Sequence, residues 1–387
     1  MFKILTLNNI SVAGLDRLPR DRYEVASEIQ HPDAVLLRSF NMHGMAIPPT
    51  VKAVGRAGAG VNNIPVKELS QKGIPVFNAP GANANAVKEL VVAGMFLAAR
   101  NICQAWDYAR NLNGDDEAVR KQVEAGKKQF VGFELPGRSL GVIGLGAIGV
   151  RVANAALGLG MQVIGYDPDI TVARAWQLSS AVQQATSIDD LLSRSDFVTF
   201  HVPLVDSTRC MVDAERLGRM RDGVIILNFA RDGIVDDEAV CEAIRAGKVG
   251  AYICDFPGNL LKSHERVIAL PHIGASTREA EDNCAVMVAD QVREYLETGN
   301  VKNAVNFPET IMPRNGGFRI AVANANVPNM LGQVSTFLAE AGLNIADMLN
   351  KSRGELAYTL ADVEGPIPDE VVKRIRSIHG VLAVRTL

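Results

Sequence analysis

The stretch SLGVIGLGAIGVRVANAALGLGMQVIGYDPD, residues 139–169, sets Gly144-x-Gly146-x-x-Gly149 directly after an apolar run and directly before an alanine-rich one. A strand that turns into a helix over a phosphate reads this way. Gly144 permits the tight turn, Gly146 omits the side chain that would block a pyrophosphate, and Gly149 lets helix and strand close up, while the helix N-terminus presents backbone N–H donors to the anion. The next strand-like run ends at Asp167, eighteen residues beyond Gly149, where a carboxylate can accept hydrogen bonds from ribose hydroxyls. No arginine follows to welcome a 2′-phosphate, so the expected cofactor is NAD rather than NADP. Glycines that serve packing alone are the competing reading, and they account for neither the strand, the helix nor the acid.

Around this unit, short apolar runs alternate with helix-like segments. FKILTL, AVLLRS, VKAVGRAG and IPVFNAP come before it, and DFVTFHVP, GVIILNFA, GAYICDF and VIALPH follow. Such alternation predicts parallel α/β layers. NANAVKELVVAGMFLAARNICQAWDYARN, between the two sets, predicts one long buried helix joining two α/β units. TREAEDNCAVMVADQVREYLETGN predicts a second long helix, stopped by Gly-Asn, that leads the chain back to the first unit. VKNAVNFPETIMPRNGG, rich in Pro, Asn and Gly, breaks the pattern as a linker would. Residues 318–387 then read strand, helix, strand, strand, helix, strand, the order of a small ferredoxin-like α+β module suited to regulation or assembly.

The expected organisation is therefore α/β, with a Rossmann-type nucleotide domain (99–287) inserted in a flavodoxin-like substrate domain (1–98 and 288–308). A linker (309–317) and a ferredoxin-like α+β domain (318–387) follow. A net charge of −3 over 40 basic and 43 acidic residues gives no compositional support for a nucleic-acid or membrane partner. The five cysteines are scattered, odd in number and without CxxC spacing, which predicts free thiols used as small core residues in a reducing compartment, and no metal site. MFKILTLNN runs into a strand-like segment with no charged-then-apolar leader, so a cytoplasmic location is expected.

Oxidising an alcohol beside a nicotinamide requires a base for the hydroxyl proton and a fixed cation for carbonyl and carboxylate. ILNFARDGIVDD leaves a strand and presents Arg231, whose planar fork suits a carboxylate; a surface arginine paired with Asp232 or Asp236 is the alternative. His201 and His272 both follow apolar strands, at the edge where such sheets bind ligands. His264, among Lys262, Ser263 and Glu265, reads as a solvated loop residue.

Together, LLRS (36–39), VGRAGAGVNNI (54–64), NAPGANANAV (78–87), GLGAIG (144–149), NFARDGIVD (228–236) and PHIGAST (271–277) make the chain resemble the D-isomer-specific 2-hydroxyacid dehydrogenases. The resemblance is strongest to those members that act on 3-phosphoglycerate and carry a C-terminal ACT domain, and it spans nearly the whole chain. It implies Arg231 as the carboxylate-binding arginine and His272 as the acid/base, with His201 a strand-end residue near the dinucleotide. It implies substrate contacts from Arg38, Ser39, Arg56, Gly58, Ala59, Gly60 and Asn101, with Arg38 and Arg56 facing a phosphate. Cofactor contacts would come from Gly144, Gly146, Ala147, Ile148, Gly149, Asp167, Pro203, Thr208, Ala230, Asp255 and Gly274. The implied reaction is NAD-dependent oxidation of 3-phospho-D-glycerate to 3-phosphohydroxypyruvate, the first step of serine synthesis, in a homodimer or homotetramer. Another 2-oxo acid such as 2-oxoglutarate, or a dinucleotide-sensing protein with little turnover, are the alternatives.

Two departures from the family pattern stand out. The family places a glutamate shortly after its Asp and Phe to support the histidine; here DFPGNLL offers Asn259, which can orient an imidazole but brings no charge, and Glu265 is the nearest other acid. In the C-terminal module the ligand turn reads NVPNML, with Asn329 where glycine is usual. Asn326, Asn329 and Asn344 are the candidate contacts for serine or another amino-acid effector.

Overall fold

The computed structural model describes residues 1–314 and 316–387. It divides into two compact units, Met1–Asn83 with Arg278–Leu387, and Ala84–Thr277.

In the first unit, β1 (Phe2–Leu7), β2 (Tyr23–Ala26), β3 (Ala34–Leu37), β4 (Ala53–Arg56) and β5 (Val76–Phe77) form a parallel sheet in the order β2-β1-β3-β4-β5. This is the flavodoxin-like order, with its switch point between β1 and β3. All four residues of β3 are buried, as befits a parallel strand covered on both faces. The returning helix Arg278–Thr298 packs Ala285, Val288 and Val292 against Ile4, Leu36 and Ala53, and stops at Gly299 with φ 77°.

In the second unit, β6 (Ser139–Ile143), β7 (Gln162–Tyr166), β8 (Gln183–Gln184), β9 (Phe197–Phe200), β10 (Val224–Asn228), β11 (Val249–Cys254) and β12 (Val267–Ala269) form a seven-stranded sheet. The order β12-β11-β10-β9-β6-β7-β8 is parallel throughout and reverses at β6/β9, the doubly wound arrangement the glycine turn predicts.

The C-terminal residues, which belong to the first unit, form an antiparallel sheet of β13 (Phe318–Ala325), β14 (Ile345–Arg353), β15 (Leu356–Val363) and β16 (Val381–Thr386) in the order β14-β15-β13-β16. Strand alternation divides its apolar residues between two faces. Ile320 and Val322 meet Val334 and Leu338 of one covering helix and Val371 and Ile375 of the other. Ala321, Ala323, Tyr358 and Leu360 join the cluster that holds Phe77, Tyr295 and Phe307. Arg319, fully buried, binds Asp362 in a fork (2.5 and 2.8 Å) and donates to the carbonyls of Thr298, Met312 and Pro313.

Four expectations differ from this structure. The single helix expected across 83–111 is two, Ala84–Ala99 and Ile102–Arg110: the Ala99 carbonyl accepts from the Phe133 N–H, and Asn101 turns left-handed with φ 49°. The units meet the chain at 83/84 and 277/278 rather than at 98/99 and 287/288, because the Ala84–Ala99 helix packs on β10 through Gly94 beside Leu227 and Phe229. The expected linker 309–317 is tied down as far as Pro313, with Thr310 and Met312 buried and their backbone pairing with Val301 and Asn300; Asn315 lies outside the described residues. The cysteines are free, but only Cys241, Cys254 and Cys284 are core residues; Cys210 is exposed. Among the described residues no helix is long and apolar enough to cross a membrane.

Candidate active site

The glycine turn joins β6 to the helix Gly149–Gly158. Gly144 has φ 90°, and a side chain there would meet the His201 carbonyl oxygen at 2.6 Å. A Cβ on Gly149 would stand 1.9 Å from the Gly144 carbonyl oxygen, so this glycine is required by the turn itself. Gly146 has nothing within 4 Å of the place its Cβ would occupy. Its smallness answers no neighbour in the chain, which fits space kept for a ligand backbone or phosphate. Half-buried Ala147 and Ile148 complete the turn. Asp167, at the end of β7, accepts from the Leu145 N–H (2.8 Å) and the Asp169 N–H (2.9 Å), tying acid to turn while leaving acceptor capacity for hydroxyls. The residues present therefore fit NAD.

Beyond β9, the buried Thr208 hydroxyl donates to the Pro203 carbonyl (2.6 Å) and accepts from the Val205 N–H (2.8 Å), so it shapes the loop that carries Pro203. His201 hydrogen-bonds Thr199 through Nε2 (3.1 Å), and desolvation pushes its pKa down to about 3. It is neutral at neutral pH and poorly suited to accept a proton there. His264 sits in the turn before β12, with Nδ1 accepting from the Arg266 N–H.

β10, β11 and β12 are neighbours, so the residues after Asn228, Cys254 and Ala269 share one sheet edge. Asn228 fixes the first of these turns by donating to the Arg231 carbonyl (2.9 Å) and accepting from the Ala230 N–H (3.3 Å). Arg231 is exposed, with Nη1 on the Ala230 carbonyl (2.6 Å). Asp236 caps the helix Asp237–Arg245, and among the described residues neither it nor Asp232 pairs with Arg231. His272 is exposed and left-handed (φ 49°). Its N–H donates to the Asp255 carbonyl (3.0 Å), and its ring lies 4.3 Å from that of Phe256.

Asp255 is 2% exposed, and neither carboxylate oxygen has a hydrogen-bond partner. Burial raises its pKa; His272 first, then the backbone N–H groups of Asp255 and Gly274 aimed at it from beyond hydrogen-bond geometry, and Arg231, pull the other way. Asn259 is exposed, with no bond to His272 among the described residues, and Glu265 precedes β12 at the far end from His272. The acid that shares an electrostatic environment with the imidazole is Asp255. Its closeness follows from β11 and β12 being adjacent, which spacing along the chain does not reveal.

The first unit carries cations at its own carboxyl edge. Arg38 follows β3 and pairs with Glu281 (2.8 Å), while Arg56 ends β4 and donates from Nε to the Arg38 carbonyl (3.0 Å). Gly58 lies so close to Arg56 that a Cβ would sit 1.9 Å from Nη1. Asn78 holds the Ala59 carbonyl (2.6 Å), and Ser39, Ala59 and Gly60 stand at or near the surface. Beneath them the Cys284 thiol is pushed up by burial and drawn down by both guanidinium groups.

With this geometry established, comparison with known proteins is decisive. Residues 98–274 match the NAD-binding domain of the D-isomer-specific 2-hydroxyacid dehydrogenases. A D-3-phosphoglycerate dehydrogenase of Haemophilus influenzae is 33% identical over 351 residues, covering 88% of this chain and 82% of that protein. The chain belongs to the D-isomer-specific 2-hydroxyacid dehydrogenase family. A D-3-phosphoglycerate dehydrogenase of Methanocaldococcus jannaschii is 36% identical over 88% of this chain, which spans 63% of that relative's length. An NAD⁺-bound 3-phosphoglycerate dehydrogenase structure from Entamoeba histolytica aligns with TM-score 0.60 and 26% identity over 79% of this chain and 98% of that one.

Two site expectations drawn from this family do not fit. Asn101 lines a cavity with Gly223, Ile225, Gly250 and Ile268, at the amino-terminal ends of β10–β12, the opposite sheet edge from Arg231 and His272. The Ala84–Ala99 helix carries it there, since its first turns pass Gly274 and its last ones Gly132. In the C-terminal sheet, Ala325 and Arg353 both pair with Leu356, whereas Phe318 and Ile345 both pair with Val363. Asn326 and Asn329 therefore lie at one end and Asn344 at the other, about eight residues or ~26 Å away, so the three make no single effector site in one chain. Asn329 adopts φ 62°, the conformation a glycine would take, so the departure from glycine is absorbed by the backbone.

Proposed function

We propose that this dehydrogenase oxidises 3-phospho-D-glycerate to 3-phosphohydroxypyruvate with NAD. Identity above 30% along most of the chain to proteins of that activity is the observation that carries the reading, and the Arg38–Arg56 cluster agrees with it, since a phosphate dianion requires cations. The glycine turn and Asp167 would hold NAD, which would supply the hydride acceptor for C2. Gly146 leaves room for the pyrophosphate and Asp167 accepts the ribose hydroxyls. Arg231 takes the substrate carboxylate in its fork and polarises the developing carbonyl, while His272 takes the C2 hydroxyl proton. Asp255 supplies the negative charge that the protonated imidazole requires, in place of the absent glutamate. The C-terminal sheet serves assembly of a homodimer or homotetramer in this reading; its three candidate asparagines do not converge within one chain. Initial rates of NADH formation test it: turnover with 3-phosphoglycerate that collapses in His272→Ala at unchanged NAD affinity is expected. Unaltered turnover in that variant would overturn the base assignment, and absence of turnover in the native chain would favour a sensing role.

A further inference from the structure

A carboxylate stands among the cations of the first unit. Arg38 follows β3, and its Nη2 pairs with Oε1 of Glu281 at 2.8 Å. Arg56 ends the neighbouring strand β4 and donates from Nε to the Arg38 carbonyl at 3.0 Å, so two guanidinium groups and one carboxylate share one stretch of the sheet's carboxyl edge. Cys284, nearly one turn beyond Glu281 on the returning helix, lies in the field of all three charges.

Glu279 and Glu281 both belong to the first turn of that helix, where the peptide dipoles favour acids. This accounts for an acid at the position but not for its contact with Arg38, which comes from a strand far earlier in the chain. The pair is open to water, with 38% of the arginine side chain and 41% of the glutamate side chain exposed. An ion pair so exposed is weak, because solvent screens it and two long side chains give up rotamer freedom to form it. A phosphate dianion carries nearly twice the charge and presents three acceptor oxygens, and the guanidinium fork that takes a carboxylate suits it equally well.

We propose that Glu281 is a resident competitor for Arg38, an anion of the chain itself that the substrate phosphate displaces on binding. The proposal rests on Arg38 and Arg56 being the phosphate cations of the reading above. Glu281 holds the guanidinium at the strand end until phosphate takes the fork, and the carboxylate then turns to solvent. Affinity for the phosphorylated acid is thereby set below what the two arginines alone would give, and the phosphorylated product leaves correspondingly faster.

Glu281→Gln keeps an acceptor for Arg38 and removes the competing charge. KM for 3-phospho-D-glycerate should fall by about three- to tenfold while kcat does not rise, as expected when an exposed ion pair no longer competes. Calorimetric titration with inorganic phosphate should show the same tightening, and it reads the pair without turnover. Glu279→Gln, an equal loss of charge from the same helix turn that leaves the Glu281–Arg38 pair intact, should shift either quantity by less than about twofold. Unchanged or weaker binding in Glu281→Gln overturns the proposal, and so does equal tightening in Glu279→Gln, since any charge on that turn would then serve. Absence of 3-phosphoglycerate turnover in the native chain refutes the functional reading alone, and the phosphate titration then decides the pair. Phosphate that binds neither the native chain nor Glu281→Gln overturns the proposal outright.

Discussion

Replacing Asp255 by asparagine removes one charge at nearly constant volume from a position where the carboxylate is buried and neither oxygen is hydrogen-bonded. Its effects on stability and on activity run in opposite directions. Burial raises the Asp255 pKa, so between the ordinary value of ~3.9 and the raised one the folded chain binds more protons than the unfolded chain. Stability contributed by this group therefore falls as pH rises through that window and stays reduced above it. An amide in its place cannot ionise, so D255N should lose this pH dependence and be more stable at neutral pH, because a neutral amide costs less to bury than an unpaired carboxylate. Activity should fall, because in the proposed mechanism His272 becomes a cation on taking the hydroxyl proton and would lose its countercharge. Unit charges about 4–8 Å apart at an effective dielectric near 20 interact by ~2–4 kcal/mol, or roughly 30- to 1000-fold in kcat/KM. Thermal unfolding, NAD titration and initial rates on the same preparation read all three quantities. A D255N enzyme within about threefold of native kcat/KM and no more stable would refute the reasoning. A loss confined to NAD affinity would assign Asp255 to holding the nicotinamide rather than to supporting the base.

The two glycines of the turn should separate cleanly. Gly149→Ala, which drives a Cβ into the Gly144 carbonyl, should cost about 1–3 kcal/mol in denaturant unfolding. Gly146→Ala should leave stability within ~0.5 kcal/mol yet weaken NAD by at least about tenfold. Arg319→Met strands a buried Asp362 and should cost about 3–5 kcal/mol, while Arg319→Met with Asp362→Leu should recover most of it; equal losses would deny the pair its role. His201, held near pKa 3 against an ordinary value of ~6.5, makes the unfolded chain bind the extra proton between those limits. Folded stability should therefore fall by up to ~1.4 kcal/mol per pH unit on acidification below ~6.5, a slope that His201→Gln should flatten in urea melts.

What could be read from the chain is what local patterns decide. The strand, glycine turn and helix at 139–158, the helix stop at Gly299 and the strand alternation of β13 each depend on neighbours in sequence. What could not be read depends on contacts closed over long separations. The Ala84–Ala99 helix ends where it does because Phe133, more than thirty residues later, takes the Ala99 carbonyl. Asn101 keeps its place in the sequence pattern but is delivered to the far sheet edge by that helix. Asn326 and Asn344 look close in the chain, yet both β13 and β14 pair with β15, and the register sends them to opposite ends. A Pro- and Gly-rich segment resembles a free linker until Arg319, buried on β13, captures its carbonyls. The acid beside His272 was visible as a residue but not as a partner, because only the adjacency of β11 and β12 brings the two together.

In the proposed function, Arg38 and Arg56 recognise the phosphate of a phosphorylated 2-hydroxy acid. Comparing kcat/KM for 3-phospho-D-glycerate with that for D-2-hydroxyglutarate, in the native chain and in Arg56→Ala, tests it most directly. The phosphorylated acid should be preferred by at least about 100-fold, and the substitution should remove most of that preference, as expected when a charge-assisted phosphate contact is lost. A chain that turns over D-2-hydroxyglutarate equally well, or whose preference is untouched by the loss of Arg56, would contradict the account.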